Sequence, residues 1–361
     1  MTIATPLRSF TYAPSAGRVV FGVGSRAQLG AEVDRLSISR ALVLCTPEQQ
    51  TQAEDVTALL GTRIAGVFPR AVMHVPIESA HDARRVAADL GADGCIAVGG
   101  GSTVGLAKAI ALVSSLPILA VPTTYAGSEM TPIYGITENN VKRTGRDARV
   151  LPRTVLYDPE LTLSLPAELS AASGLNAIAH AVEALYAEDG NPIVSLMAQE
   201  SIAALARALP RLVRDGGDLE ARSDALYGAW LAGSVLGAVG MSLHHKLCHT
   251  LGGAYGLPHA QTHAVVLPYA AAFNAPFAAD AMRRVARALG AEAATDAPRA
   301  LFALARSVGA PASLAAIGMR SADLDAAAEL AARNSYANPR PVERAAIREL
   351  LQNAFDGCEP S

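Results

Sequence analysis

The pattern of apolar and polar positions changes character once along the chain. Up to about residue 160, short apolar runs alternate with stretches of helical spacing. Positions 18–25 (RVVFGVGS) predict a strand and a glycine turn, 41–46 (ALVLCT) a buried strand, and 72–76 (VMHVP) another. Positions 93–102 (DGCIAVGGGS) predict a strand and a second glycine turn, and 117–124 (PILAVPTT) a strand entering a polar loop. Between them, SRAQLGAEVDRL and SAHDARRVAADLG space their apolar residues as amphipathic helices do. Strand and helix in alternation is the pattern of a parallel sheet covered by helices.

Beyond Ala167 the strand pattern disappears. Alanine- and leucine-rich stretches of helical periodicity continue to the end, as in SADLDAAAELAAR and VERAAIRELLQNAF, and Pro159 and Pro166 punctuate the change. A chain of 361 residues exceeds what one core usually serves, about 250–300 residues. The expected organisation is therefore an α/β domain over 1–160 and an all-helical domain over 161–361. No repeat with a period of about 20–50 residues is present, which excludes a solenoid.

Composition narrows the class. With 51% hydrophobic and 17% charged residues the chain is a well-buried globular protein rather than a disordered one. A net charge of −3 without a basic run argues against nucleic acid or an anionic membrane as partner. Cys45, Cys95, Cys248 and Cys358 lie far apart with no CxxC, as reduced thiols of a cytoplasmic protein do. MTIATPLRSFTYAP lacks the apolar centre of a secretory signal, and the apolar runs fall short of the ~20 residues that cross a bilayer. The expected location is the cytoplasm.

Three stretches carry chemistry. In CIAVGGGSTVGLAKAIAL (95–112) a strand meets Gly99, Gly100, Gly101 and Ser102 and then a helix. Glycines let a ligand approach the backbone, and the free N–H groups opening a helix bind anions such as phosphate. PTTYAGSEMTP (122–132) follows the next strand and holds Thr123, Thr124, Ser128 and Thr131. Hydroxyls at the carboxyl ends of adjacent strands line the crevice where open α/β sheets take nucleotides. Thr46, after the second strand, stands where an acidic residue often holds the adenosine ribose; a threonine does not repel a 2′-phosphate, so NADH with tolerance of NADPH is expected.

The third stretch is histidine-rich. Five of the eight histidines fall within HHKLCHTLGGAYGLPHAQTH (244–263). His245 and His249 are four apart on a predicted helix, as are Asn176 and His180 on SGLNAIAHAVEALYA, so each pair shares a face. Gly252 and Gly253 are expected to end or thin the helix of His245 and His249, and the turn GLPHAQTH returns His259 toward them. Asn176, His180, His245, His249 and His259 are thus the candidate catalytic residues, gathered in one cleft.

These motifs in combination, GGGS with Ala107–Lys108, PTT with Gly127–Glu129, and the spacing of His245, His249 and His259, resemble the iron-containing (group III) alcohol dehydrogenase family. The resemblance runs over most of the chain. It implies a dinucleotide-binding Rossmann-like domain, an all-helical domain, a site between them and a homodimer. In that family one aspartate and three histidines hold a metal. The matching positions here are Asn176, His180, His245 and His259, and His249 matches a site histidine near the nicotinamide.

Asn176 replaces the only anionic ligand of that set, so a metal is not expected; if one binds, His180, His245 and His259 are its ligands. Gly105 replaces an aspartate of the family's glycine-turn helix, and PTTYAGSE is one residue short. These departures, with VLPRTVLYDPELT and NPRPV (338–342), resemble the branch that reduces the carbon–carbon double bond of maleylacetate to 3-oxoadipate in aromatic degradation, using NADH or NADPH. Hydride addition to the carbon β to the ketone makes an enolate, which preorganised donors stabilise. His245 and His249 are the expected donors, a histidinium the expected proton source, and His180 and Asn176 the orienting groups. Lys246 and Arg340 are candidates for the two carboxylates of a small dicarboxylate. The alternatives are a metal-dependent alcohol or aldehyde oxidoreductase of the same fold, and a non-catalytic nucleotide-binding protein.

Overall fold

The computed structural model describes residues 10–12, 17–139, 141–291, 293, 296–333 and 336–360. Its sheet is built from β1 (Arg18–Phe21), β2 (Ala41–Leu44), β3 (Ile64–Phe68), β4 (Gly94–Gly99), β5 (Ile118–Pro122) and β8 (Thr154–Tyr157), all parallel, in the order β1-β8-β5-β4-β2-β3. β6 (Ile133–Glu138) and β7 (Val141–Arg146) form a separate antiparallel hairpin. Helices α1 (Leu29–Arg35), α2 (Gln50–Leu60), α3 (Ile77–Asp89) and α4 (Gly101–Ser114) connect the strands.

The strands β2, β4 and β5 are buried along their whole length, as expected of a sheet covered on both faces. From β2 the chain steps outward to β3, then returns to the other side of β2 at β4 and continues through β5 to β8, with β1 on the far edge. The carboxyl ends of β2, β4 and β5 flank that switch of direction, where a crevice opens in folds of this kind.

The helical half follows with α5 (Ala167–Ala184), α6 (Pro192–Arg214), α7 (Leu219–Ala238), α8 (Leu243–Tyr255), α9 (His259–Asn274), α10 (Ala279–Ala288), α11 (Ala297–Ser307), α12 (Leu324–Ala332) and α13 (Arg344–Asp356). The α/β and all-helical expectation therefore holds. One buried apolar cluster joins the halves, from Leu42 and Ala97 through Leu175 and Ile178 to Val235 and Leu301. At the seam Gly127, with φ 78°, lies against Gly233 of α7, and a Cβ on Gly233 would meet the Gly127 carbonyl oxygen at 2.4 Å. Nearby, fully buried Arg222 donates to the Tyr125 hydroxyl at 3.1 Å, to Ser170 Oγ at 2.8 Å and to the Leu165 carbonyl at 3.0 Å.

Two local expectations are corrected. Positions 72–76 are not a strand: Val72 and Met73 are exposed, and His74 and Val75 have φ of 66° and 47°, which no strand accepts. The strand lies earlier, at Ile64–Phe68. Gly252 and Gly253 do not end α8, which runs to Tyr255 and stops at Gly256 in the left-handed region.

Candidate active site

The crevice is assembled from the carboxyl ends of three strands. Gly99 ends β4 with φ 152°, and a Cβ there would meet Gln49 Oε1 at 2.4 Å. A Cβ on Gly100 would meet Thr124 at 2.8 Å. Gly101 and Ser102 open α4, whose first N–H groups have no partner within the helix. Thr46 Oγ1 donates to Gln49 Oε1 at 3.3 Å, and Gln49 Nε2 donates to Thr123 Oγ1 at 2.6 Å. The residues expected to bind cofactor at 46, 99–102, 123 and 124 are thus brought together.

Ser128 Oγ is buried, has no partner and lies 3.8 Å from where a Gly101 Cβ would be. Thr131 is turned inward: its hydroxyl donates to the Ser128 carbonyl and accepts from Lys108 Nζ. Buried Lys108 also donates to the carbonyls of Ser128, Thr131 and Ile133 at 2.6–2.8 Å. Burial pulls its pKa down to about 7. Lys108 and Thr131 therefore shape the loop.

The histidines come from three helices. α5 presents Asn176, His180 and Glu183 on one face. α8 presents His244, His245 and His249, and α9 presents His259 and His263. Ring centroids of His180 and His245 are 4.9 Å apart, those of His245 and His263 5.0 Å, and those of His244 and His263 4.9 Å. His259 lies 4.3 Å from His263 and stacks on His249 at 6.3 Å. His249 is exposed and His259 half-buried, while the other four are buried.

The sequence reading missed three members of this cluster. His263, beside His180, His244, His245 and His259, sits one helical turn past His259, so its spacing was a usable signal. His244 donates through Nε2–H to the His263 carbonyl at 3.0 Å. Glu183 is wholly buried and accepts from the backbone N–H of Ser242 at 3.0 Å and of His244 at 2.7 Å, and from His245 Nδ1 at 2.6 Å. Its signal was an acid on the apolar face of a helix, seven residues after Asn176.

Lys246 points its Nζ over the Tyr336 ring at 5.8 Å. Arg340 covers Phe273 at 4.2 Å. Phe273 is fourteen residues along α9 from His259, about 21 Å by helical rise, so Arg340 stands well away from the cluster's mouth.

Residues 16–159 match the model of the iron-containing alcohol dehydrogenases, and residues 170–355 match that of the Fe-containing alcohol dehydrogenase family C-terminal region. The chain belongs to the iron-containing alcohol dehydrogenase family. It is 61% identical over 355 residues to a maleylacetate reductase of Burkholderia cepacia, covering 98% of this chain and 100% of that one. It is 57% identical to a maleylacetate reductase of Sphingobium indicum, covering 97% and 99%. The crystal structure of maleylacetate reductase from Agrobacterium tumefaciens superposes with a TM-score of 0.94 at 52% identity, covering 98% of this chain and all of that one.

Membership raises the question of the metal. Asn176 Oδ1, His180 Nδ1, His245 Nε2 and both ring nitrogens of His263 are buried without a partner, so lone pairs are available. The trio whose ligand atoms approach within 4.8 Å is His244, His245 and His263, not the set of His180, His245 and His259 that the resemblance implied. The anionic ligand is missing at Asn176, and the Glu183 carboxylate is engaged by His245 and two backbone N–H groups. The residues present do not reproduce the one-carboxylate, three-histidine set that the family resemblance implied for a divalent ion.

Burial also sets the charges. It lowers the pKa of His245 to about 3 and of His244 to about 4, and pushes His180 and His263 well below the usual histidine range. These four are neutral near pH 7. The expected histidinium is therefore not His245 or His180.

Proposed function

We propose that this chain reduces the carbon–carbon double bond of maleylacetate to 3-oxoadipate with NADH, tolerating NADPH, in the cytoplasmic breakdown of aromatic compounds. The observation that carries the reading is the full-length likeness, at 61% identity, to a maleylacetate reductase. Among the described residues no single helix is long and apolar enough to cross a membrane.

In this reading the cofactor's phosphates lie on the N–H groups opening α4 at Gly101 and Ser102, bordered by Ser128, and its ribose near Thr46 and Thr123. The nicotinamide is directed toward Asn176 and the histidines. A dinucleotide held there would supply hydride to the carbon β to the ketone, with the double-bond electrons moving onto the ketone oxygen. A proton then reaches the α carbon. His249, on the exposed side of the cluster, is placed to carry it, because the buried rings hold no ionisable proton near pH 7. His259, stacked on His249, fixes that ring's setting. Of the two candidate cations, Lys246 adjoins His245 on α8 and is the one placed to meet a substrate carboxylate. The working form is a homodimer and no metal is required.

The test is turnover. NADH oxidation with maleylacetate yielding 3-oxoadipate, and no comparable rate on simple alcohols or aldehydes, is expected. A higher kcat/KM for those alcohols would favour the alcohol dehydrogenase alternative. Saturable NADH binding with no turnover of any enone or carbonyl would favour the non-catalytic one.

A further inference from the structure

Glu183 is the one buried carboxylate bonded to the histidine cluster among the described residues, and nothing in the reading above uses it. It sits on α5, three residues past His180, and is fully enclosed. One of its oxygens accepts from the His244 N–H at 2.7 Å; the other accepts from the Ser242 N–H at 3.0 Å and meets His245 Nδ1 at 2.6 Å. The two backbone bonds cap the start of α8 and fix where His245 and His249 begin.

The bond to His245 has a chemical consequence. A carboxylate only accepts, so Nδ1 must carry the hydrogen. Burial disfavours the imidazolium, so the ring holds a single proton and Nε2 is left bare. Nε2 is also the atom of this ring that is buried with no partner.

We propose that Glu183 is a positioning residue: it holds His245 in the Nδ1–H tautomer, so that the cluster offers its occupant a lone pair at Nε2 rather than a proton. The dicarboxylate, its ketone and its enolate are acceptors and cannot satisfy that lone pair themselves. A water molecule can, giving one hydrogen to Nε2 and the other to the developing enolate oxygen. His245 then acts on the oxyanion through water, which replaces its expected role as a direct donor.

This proposal rests on the reductase reading only for its link to turnover; the tautomer needs no substrate. The test is long-range ¹H–¹⁵N spectroscopy of the full-length protein labelled at histidine, with the His245 signals assigned by their loss in His245→Gln. The bare nitrogen is expected at Nε2. In Glu183→Gln the amide oxygen keeps the shorter backbone bond, from the His244 N–H, while the amide nitrogen takes the place of the oxygen that faces Ser242 and His245, giving up the Ser242 bond and donating to Nδ1, so the proton is expected to move to Nε2. With that flip, kcat for maleylacetate is expected to fall at least tenfold while NADH affinity stays within twofold. A wild-type proton on Nε2 would overturn the proposal, as would an unchanged tautomer in Glu183→Gln. A flipped tautomer with unchanged kcat would reduce Glu183 to a cap of α8 and overturn it too. If Glu183→Gln does not fold, the wild-type spectrum still decides the tautomer. Absence of any turnover on maleylacetate would defeat the reductase reading and leave the tautomer standing.

Discussion

At the scale of single residues, burial rather than identity separates the histidines. His245 and His249 are four apart on one helix, yet one is enclosed against Glu183 and the other faces solvent. His249→Ala is expected to lower kcat by about a hundredfold or more, the range for losing a general acid, with NADH affinity kept. His245→Ala is expected to lower it too, and unchanged turnover in both variants, measured by NADH oxidation, would remove this cluster from the mechanism. Burial also gives a pH signature. The folded pKa values of His244 and His245 lie below their unfolded value of 6.5, so the unfolded chain binds more protons as the pH falls through that value. Stability is then full above about pH 6.5 and declines toward pH 4. At pH 5 each of these two costs about 2 kcal/mol, and His180 and His263 act in the same direction. A melting temperature equal at pH 5 and pH 7.5 would contradict this. The spacing of Asn176, His180, His245, His249 and His259 was legible in the chain. The partner of His245 was not, because Glu183 meets it across sixty-two positions of sequence.

At the scale of elements, the glycine turn and its helix were legible because strand, glycines and helical spacing follow one another without a gap. Their support was less so. Gln49 bridges Thr46, after β2, and Thr123, after β5, past the end of β4, which the sheet order places between those two strands. The missing aspartate of α4 has a local reason: a Cβ on Gly105 would meet Val75 at 2.8 Å, so the helix packs too closely there for a larger side chain. Val75 lies in the very turn that its β-branched neighbours made look like a strand, and left-handed backbone at two non-glycine positions leaves no such mark in sequence. The hairpin of β6 and β7 went unseen because IYGITE shows no apolar–polar alternation, and all six of its residues are half-buried. For the turn itself, Gly100→Ala is expected to weaken NADH binding. Its Cβ would collide with Thr124, and overpacking of this kind costs about 1–3 kcal/mol. Fluorescence titration showing unchanged NADH affinity would move the cofactor away from this crevice.

At the scale of the whole molecule, the change of periodicity near residue 160 marks a change of architecture without a break in the core. Side chains from β2, β4, β5, α4, α5, α7 and α9 share one apolar cluster, and Arg222 and the Gly127–Gly233 contact join the halves at the cofactor loop. Calorimetry is therefore expected to show one cooperative transition, and NADH to raise its midpoint. Two separate transitions would mean that the halves are independent. The same seam joins the half that carries the glycine turn to the helices that carry the histidines, so in the proposed reaction hydride donor and proton donor are held by different halves of one folded unit. The chemistry proposed for it uses no metal, and the measurement that tests that proposal most directly is NADH oxidation with maleylacetate by protein stripped with chelator, its metal content determined on the same sample. Full activity at a metal content far below one ion per chain is predicted. Activity lost on stripping and restored only by Fe²⁺ or Zn²⁺ would contradict it and return the buried histidine nitrogens to the role of ligands.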